Sequence, residues 1–377
     1  MSVSPYTVPV EPMEAAWVRS RVAAFRFFEE PTDAGWAYGA NRAYLERLRT
    51  YWLEQFDWPA AVARLNRHPH VRVDVGDGFH LHCVHRRSPR ADARPLLIAH
   101  GWPGSILEFD AILERLADPE DPGVPAFHVV APSLPGYAWS DKPAKPIGPR
   151  GVARLYDTLM TRLGYDRFVY QGGDWGSVIG GWLGLDSARV EAIHLNGYGL
   201  RSPDMRPTTD AETAWLGWAM KVRDSETAYL QLQGTKPQSL GYAMMDSPMG
   251  VAAWFVEKFN GWSDLSGTSN PEPPFTMEQL LTNIMIYLTT RSFNTATWIY
   301  KGMFEEGGFA MPAGRRVEVP VGVAAFPHDL LAFPPRSMVE RGYNVVHWTD
   351  MPRGGHFASL EEPELFLADV RTFASKL

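Results

Sequence analysis

The chain has 377 residues, 45% hydrophobic and 21% charged, with a formal net charge of -7. That length suits one large domain with an inserted segment, or two domains, and the acidic balance without any Lys/Arg block argues against nucleic acid and anionic membrane as partners. No run approaches the ~20 apolar residues of a membrane span, Met1 to Pro12 has no secretory pattern, and the lone Cys83 excludes an internal disulfide, so a reducing, cytoplasmic setting is expected.

Residues 1 to about 75 read as mostly helical. Tyr44, Leu45, Leu48, Tyr51, Trp52 and Phe56 recur at helical spacing, Trp58-Pro59 ends that helix, and Ala60 to Asn66 starts another. From Val71 the period becomes two: Val71, Val73 and Val75 alternate with polar residues, Gly76-Asp77-Gly78 turns, and Phe79 to His85 returns as a hairpin. His80 and His82 share one face of that strand. No second cluster supplies further metal ligands, so the default reading is a solvated strand face and no metal.

Strands and helices then alternate. Pro95–Ala99, Phe127–Ala131, Phe168–Tyr170 and Val190–Leu195 read as strands; Ile106–Leu116 and Gly151–Leu163 read as helices. This is the pattern of a parallel sheet covered on both faces. Residues 200 to about 315 are helical, rich in Trp and Met, and carry no strand signal. Strand patterns resume at Val317–Phe326 and Asn344–Trp348, and a helix closes the chain over Glu362–Lys376. The expected division is an N-terminal helical region plus hairpin (1–94), a core segment (95–198), a helical lid (199–315) and a second core segment (316–377).

One stretch organises the rest: Gln171-Gly172-Gly173-Asp174-Trp175-Gly176-Ser177, between a β-prone run and an apolar helical run. A strand that turns abruptly into a helix needs tiny residues on both sides of the turn, and Gly172 and Gly176 flank Asp174. That is a nucleophile elbow with aspartate at its tip, or else a glycine-rich turn in which Asp174 caps the helix. Three further stretches stand at strand ends: His100-Gly101-Trp102-Pro103-Gly104, Phe326-Pro327-His328-Asp329, and Arg353-Gly354-Gly355-His356-Phe357. The order Asp174, Asp329, His356 is that of the triad in α/β-hydrolases. Asp350 is the rival acid.

With these motifs in place, the chain resembles the microsomal type of epoxide hydrolase. The likeness runs from about Gly35 to the C-terminus. It includes Gly35-Trp36-Ala37-Tyr38-Gly39, Leu65-Asn66-Arg67-His68-Pro69-His70, the HGWPGS and GGDWGS segments, Gly234-Thr235-Lys236-Pro237, Glu257-Lys258-Phe259, and Arg353 to Ala358 followed by Glu361-Glu362-Pro363. The resemblance implies an α/β-hydrolase fold with a helical lid after the sixth core strand and an N-terminal helical extension.

It further implies two lid tyrosines gripping the epoxide oxygen. Tyr229, shortly before Thr235-Lys236-Pro237, and Tyr300, in Trp298-Ile299-Tyr300-Lys301, stand where they are expected, with Tyr287 and Tyr242 as fallbacks. Asp174 would be the nucleophile, His356 the base, Asp329 its partner, and the backbone N–H groups of Trp102 and Trp175 the oxyanion donors. The implied substrate is a small-molecule, apolar epoxide, with no cofactor and no metal; a homodimer is compatible with this. Trp215, Trp218, Trp254, Trp262 and Trp298 suggest an aromatic lid over a bulky apolar group. The alternatives are a haloalkane-type dehalogenase, which also uses an Asp nucleophile followed by Trp, and a non-catalytic binding member of the fold.

Overall fold

The computed structural model describes residues 3–203, 206–269 and 271–377. Nine strands make one mixed sheet: β1 (Val3–Tyr6), β2 (His70–Asp74), β3 (His80–Arg86), β4 (Arg94–Ala99), β5 (Phe127–Pro132), β6 (Phe168–Gly172), β7 (Val190–Leu195), β8 (Val317–Ala325) and β9 (Tyr343–Asp350). They lie in the order β1-β2-β3-β5-β4-β6-β7-β8-β9. Pairing is antiparallel from β1 to β5 and parallel from β5 to β9. The parallel strands are near-continuous apolar runs because helices cover both faces; Leu96, Leu97, Ile98, Val129 and Val130 are fully buried.

Around this sheet the sequence patterns become packing. The helix Arg42–Glu54 buries Tyr44, Leu45, Leu48 and Trp52, and Asn41 caps it by accepting from the Tyr44 N–H. Helices Pro149–Arg162 and Asp174–Asp186 lie against the sheet, and Pro363–Ala374 packs on its other side near β8. Between β7 and β8 the described residues form seven helices, from Asp210–Glu226 to Trp298–Glu305. The helix Met277–Thr289 is the interior member of this cap. A Thr276/Gln279 capping box starts it, and residues 280 to 289 are all buried.

Three expectations need correction. Residues 3–6 are not helical but form edge strand β1, registered Val3↔Val73 to Tyr6↔His70. Pro5 is tolerated there because an edge strand leaves one row of N–H groups unpaired. The helical cap therefore follows the seventh strand in chain order, the sixth when this edge strand is set aside. Second, Ile106–Leu116 is broken into a 3₁₀ turn, Ile106–Phe109, and a short helix, Leu113–Ala117. The break lets Phe109, Ile112, Leu113 and Leu116 all reach the core.

Third, the His80/His82 face is solvated only at its His80 end, where the side chain is half-buried. His82 is fully buried, its Nε2 2.9 Å from Nδ1 of His70 and its Nδ1 2.9 Å from the Ser133 hydroxyl. Trp139 packs edge-on against it. Among the described residues no cluster of His, Cys, Asp or Glu has a metal-holding arrangement, and no helix is long and apolar enough to cross a membrane.

Candidate active site

Asp174 sits at the junction of β6 and the helix Asp174–Asp186 with φ +44°, a left-handed conformation that costs a non-glycine residue of order 1–3 kcal/mol. Tight surroundings hold it there. A Cβ on Gly172 would come within 2.5 Å of the Gly176 backbone, and one on Gly176 within 2.4 Å of the Ala99 carbonyl oxygen. Gly101 is needed for a different reason: a Cβ there would lie 2.0 Å from Oδ1 of Asp174 itself. The turn thus drives the carboxylate into the loop after β4, where the Trp102 N–H donates to Oδ1 at 2.8 Å. Trp175 stands in the first helical turn, where N–H groups have no intrahelical acceptor and negative charge is favoured.

The other oxygen of Asp174, Oδ2, lies 3.4 Å from Nε2 of His356, and the opposite ring nitrogen, Nδ1, is 2.7 Å from Oδ1 of Asp329. The strand ends of β6, β8 and β9 therefore bring the three sequence-derived residues into one chain of contacts. Asp350 is excluded from it: its Oδ1 accepts from the Trp348 indole at 2.8 Å. Burial lowers the His356 pKa, but the Asp329 charge and the bond to Asp174 outweigh it, and the net result is well above the ordinary value.

The His356 loop is held from two sides. Its N–H donates to the Trp262 carbonyl at 2.9 Å, and a Cβ on Gly355 would press within 2.7 Å of the same cap segment. The Glu361 carboxylate accepts from the N–H groups of Gly355 (3.0 Å), Phe357 (2.8 Å) and Asp264 (2.7 Å). This staple was visible in the sequence only as part of a family motif, since nothing in spacing tells which loop a glutamate will cap.

Both lid tyrosines reach the elbow. The Tyr300 ring meets Trp175 edge-on at 4.6 Å, the Tyr229 ring stacks on Trp102 at 5.3 Å, and the two tyrosine rings are 5.9 Å apart at 81°. Burial, then the Asp174 charge, raises the Tyr229 pKa well above 10. Burial, then Tyr229 and Asp174, does the same for Tyr300. The fallbacks lie elsewhere. Tyr242 is 74% exposed, and the Tyr287 hydroxyl donates to the Gly104 carbonyl at 2.5 Å. With Asn283, which donates to the Pro103 carbonyl at 2.8 Å, Tyr287 clamps the loop that presents Trp102.

Asp174, Asp329, His356, Tyr229 and Tyr300 all line one cavity of about 410 Å³. Its walls are mainly apolar, with Trp215, Leu216, Met220, Phe304, Phe309 and Leu331 prominent. Of the five lid tryptophans singled out from sequence, only Trp215 lines it. Trp218 is 38% exposed, and Trp262 packs behind the site, against Tyr229 and His356. Lys258, which sequence alone marked only by motif, lies over the Tyr229 and Trp262 rings at 5.1 and 5.4 Å.

Two family models match the chain, one described as the epoxide hydrolase N terminus over residues 3–109 and one as the alpha/beta hydrolase fold over residues 94–245. The chain is 34% identical to epoxide hydrolase 1 of Sus scrofa over 407 residues, covering 100% of this chain and 89% of that protein. The solved structure of the Aspergillus niger epoxide hydrolase superposes with a TM-score of 0.87 at 31% identity, covering 100% of this chain and 97% of that one. The juvenile hormone epoxide hydrolase of the silkworm Bombyx mori gives 0.85 at 29%, covering 100% and 94%. Asp174, Asp329 and His356 in hydrolase order, two buried phenols over the elbow and kinship along the whole chain agree: the chain belongs to the epoxide hydrolase family and has the α/β-hydrolase fold.

Proposed function

We propose that the chain opens an apolar epoxide to a vicinal diol through a covalent ester on Asp174. The observation that carries this reading is one carboxylate with its oxygens differently engaged. Oδ1 is held by the Trp102 N–H, while Oδ2 stands near His356 in the cavity that Tyr229 and Tyr300 also line.

An ionised carboxylate attacks carbon without a base to activate it, unlike a serine hydroxyl. As the C–O bond of the ring breaks, its oxygen becomes a strong base that must gain a proton. Tyr229 and Tyr300 keep theirs in the buried resting site and can release one as alkoxide charge develops. The elbow then bears a neutral hydroxyalkyl ester.

That neutralisation prepares the second half. With the Asp174 charge gone, His356 loses one of the two anions that hold its proton, and its basic form becomes available. His356 then takes a proton from water, the water oxygen bonds to the ester carbonyl carbon, and Asp329 steadies the imidazolium. Charge on the carbonyl oxygen falls on the Trp102 and Trp175 N–H groups, a donor type typically worth ~3 kcal/mol. On collapse the imidazolium gives its proton to the departing diol oxygen, and the proton shed by the restored Asp174 carboxyl makes good the one the phenol released.

The paired phenols and the epoxide hydrolase relatives speak against dehalogenation, and the intact triad against a non-catalytic binder. The test is a single turnover of styrene oxide in heavy-oxygen water. The label should enter Asp174, with the first diol unlabelled; label in the first diol would mean direct attack by water. His356→Gln should accumulate the ester on Asp174, seen as added mass on the peptide containing it.

A further inference from the structure

A second hollow lies against the elbow, lined by Glu108, Gly101, Gly173, Asn196, Asp174 and His356 among others. It leaves about 10 Å³ for the centre of a water-sized sphere, close to the least that holds one water molecule. Its lining is mostly polar, unlike that of the large cavity. Two of its polar side chains are already bonded to each other, the Gln171 amide donating to Asn196 Oδ1 at 2.6 Å. Glu108 is different. Among the described residues no donor reaches its carboxyl group, although its backbone carbonyl accepts from the Ser359 hydroxyl at 2.9 Å. The carboxyl is folded back onto the loop that presents Trp102, where a Cβ on Gly104 would meet Oε1 at 1.5 Å. A glycine at 104 is therefore a condition for this placement.

We propose that Glu108 is the positioning residue for the hydrolytic water, holding it in the small hollow between His356 and the Asp174 ester. This deepens the covalent reading above and rests on it. A water there has two hydrogens to place. One points to His356 Nε2, which removes it, and the carbonyl oxygen of the Glu108 carboxyl accepts the other. A lone pair is then left for the carboxyl carbon of Asp174. The O–H bond to His356 breaks as the new C–O bond forms, and the proton later returns to the departing diol oxygen. Only an acceptor oxygen is required of Glu108. Burial pushes its carboxyl up to about 8, against the pull of His356 and with help from the Asp174 charge, so below that pH a second negative charge is not forced beside the nucleophile.

The placement also separates two traffics. Substrate enters the large apolar cavity, while water waits on a polar side of the same carboxyl group, so the two need not compete for one space.

The experiment compares Glu108→Leu, which removes the acceptor, with Glu108→Gln, which keeps one. Stopped-flow tryptophan fluorescence and acid-quench mass analysis with styrene oxide resolve ester formation from ester hydrolysis. For Glu108→Leu, ester formation should stay within about threefold of the parent, while hydrolysis should fall about tenfold or more, the loss of one oriented hydrogen bond, and ester should accumulate. Glu108→Gln should recover most of the hydrolysis rate. Hydrolysis unchanged in Glu108→Leu overturns the proposal. So does equal slowing of both steps, or failure of Gln to rescue, since each points to a structural role. His356→Gln runs alongside: ester there but not in Glu108→Leu sinks only the role of Glu108, whereas no ester in either sinks the covalent route itself.

Discussion

Nε2 of His356 lies 3.4 Å from Oδ2 of Asp174, so the base proposed for the second half-reaction rests against the nucleophile proposed for the first. The charge state of His356 therefore depends on Asp174. Asp174→Asn removes one of the two anions that raise the imidazole pKa. The His356 pKa should therefore fall in that variant while the Asp329 contact remains. Proton NMR titration of the imidazole checks this, and an unchanged midpoint would mean that Asp329 alone holds the proton. The same substitution should abolish turnover.

In the proposed reaction the two tyrosines divide one task. Tyr229→Phe and Tyr300→Phe should each slow ester formation, by roughly 10²-fold for the residue that gives up the proton and less for the one that only orients, the usual worth of a positioned acid. The double variant should be slower than either. Because neither ring touches the water step, ester hydrolysis should change little. Rapid-quench measurement of the two phases decides; a selective loss in hydrolysis would misplace both phenols.

A buried group of one carboxylate and two histidines lies away from the candidate site and ties the last helix to the sheet. Asp369, 6% exposed, accepts from Thr349 at 2.5 Å and is 2.9 Å from His194 Nε2 and 2.8 Å from His347 Nε2. Burial pushes its pKa up, but the bond and charge of His194, with the Thr349 and His347 bonds, win and hold it at about 2, against 3.8 when unfolded. A depressed carboxylate stabilises the fold fully above the unfolded pKa and loses that contribution as pH falls towards the folded one. The window is thus about pH 4 down to 2, and the contribution is roughly 2 kcal/mol. Asp369→Asn should lower the urea midpoint at pH 6, and the gap to the parent should close as pH falls through that window. A gap that persists at pH 2 would show that the carboxylate's charge is not what the variant lost.

Much of this molecule was legible in one dimension. The elbow is local: Gly172, Asp174 and Gly176 lie within five positions, and the sterics that demand small neighbours act over that distance. The parallel strands announce themselves as apolar runs, and the triad order follows chain order. Two kinds of feature stayed hidden. Val3–Tyr6 is too short and too rich in Ser and Pro to signal a strand, and becomes one only because β2 offers an open edge. Glu108 carries no motif of its own; Gly104 is a near neighbour, but only the fold brings the distant Asp174 and His356 to the same hollow.

The sequence by itself determined which residues could do chemistry and in what order the strands present them, because glycine sterics and hydrophobic periodicity act between near neighbours. Only the tertiary structure decided which lid tyrosines stand over the elbow, that Tyr287 clamps a loop instead, and that Trp215 alone of five lid tryptophans lines the cavity. Those choices depend on how seven helices pack over a sheet, and packing among residues far apart in the chain leaves no periodic mark.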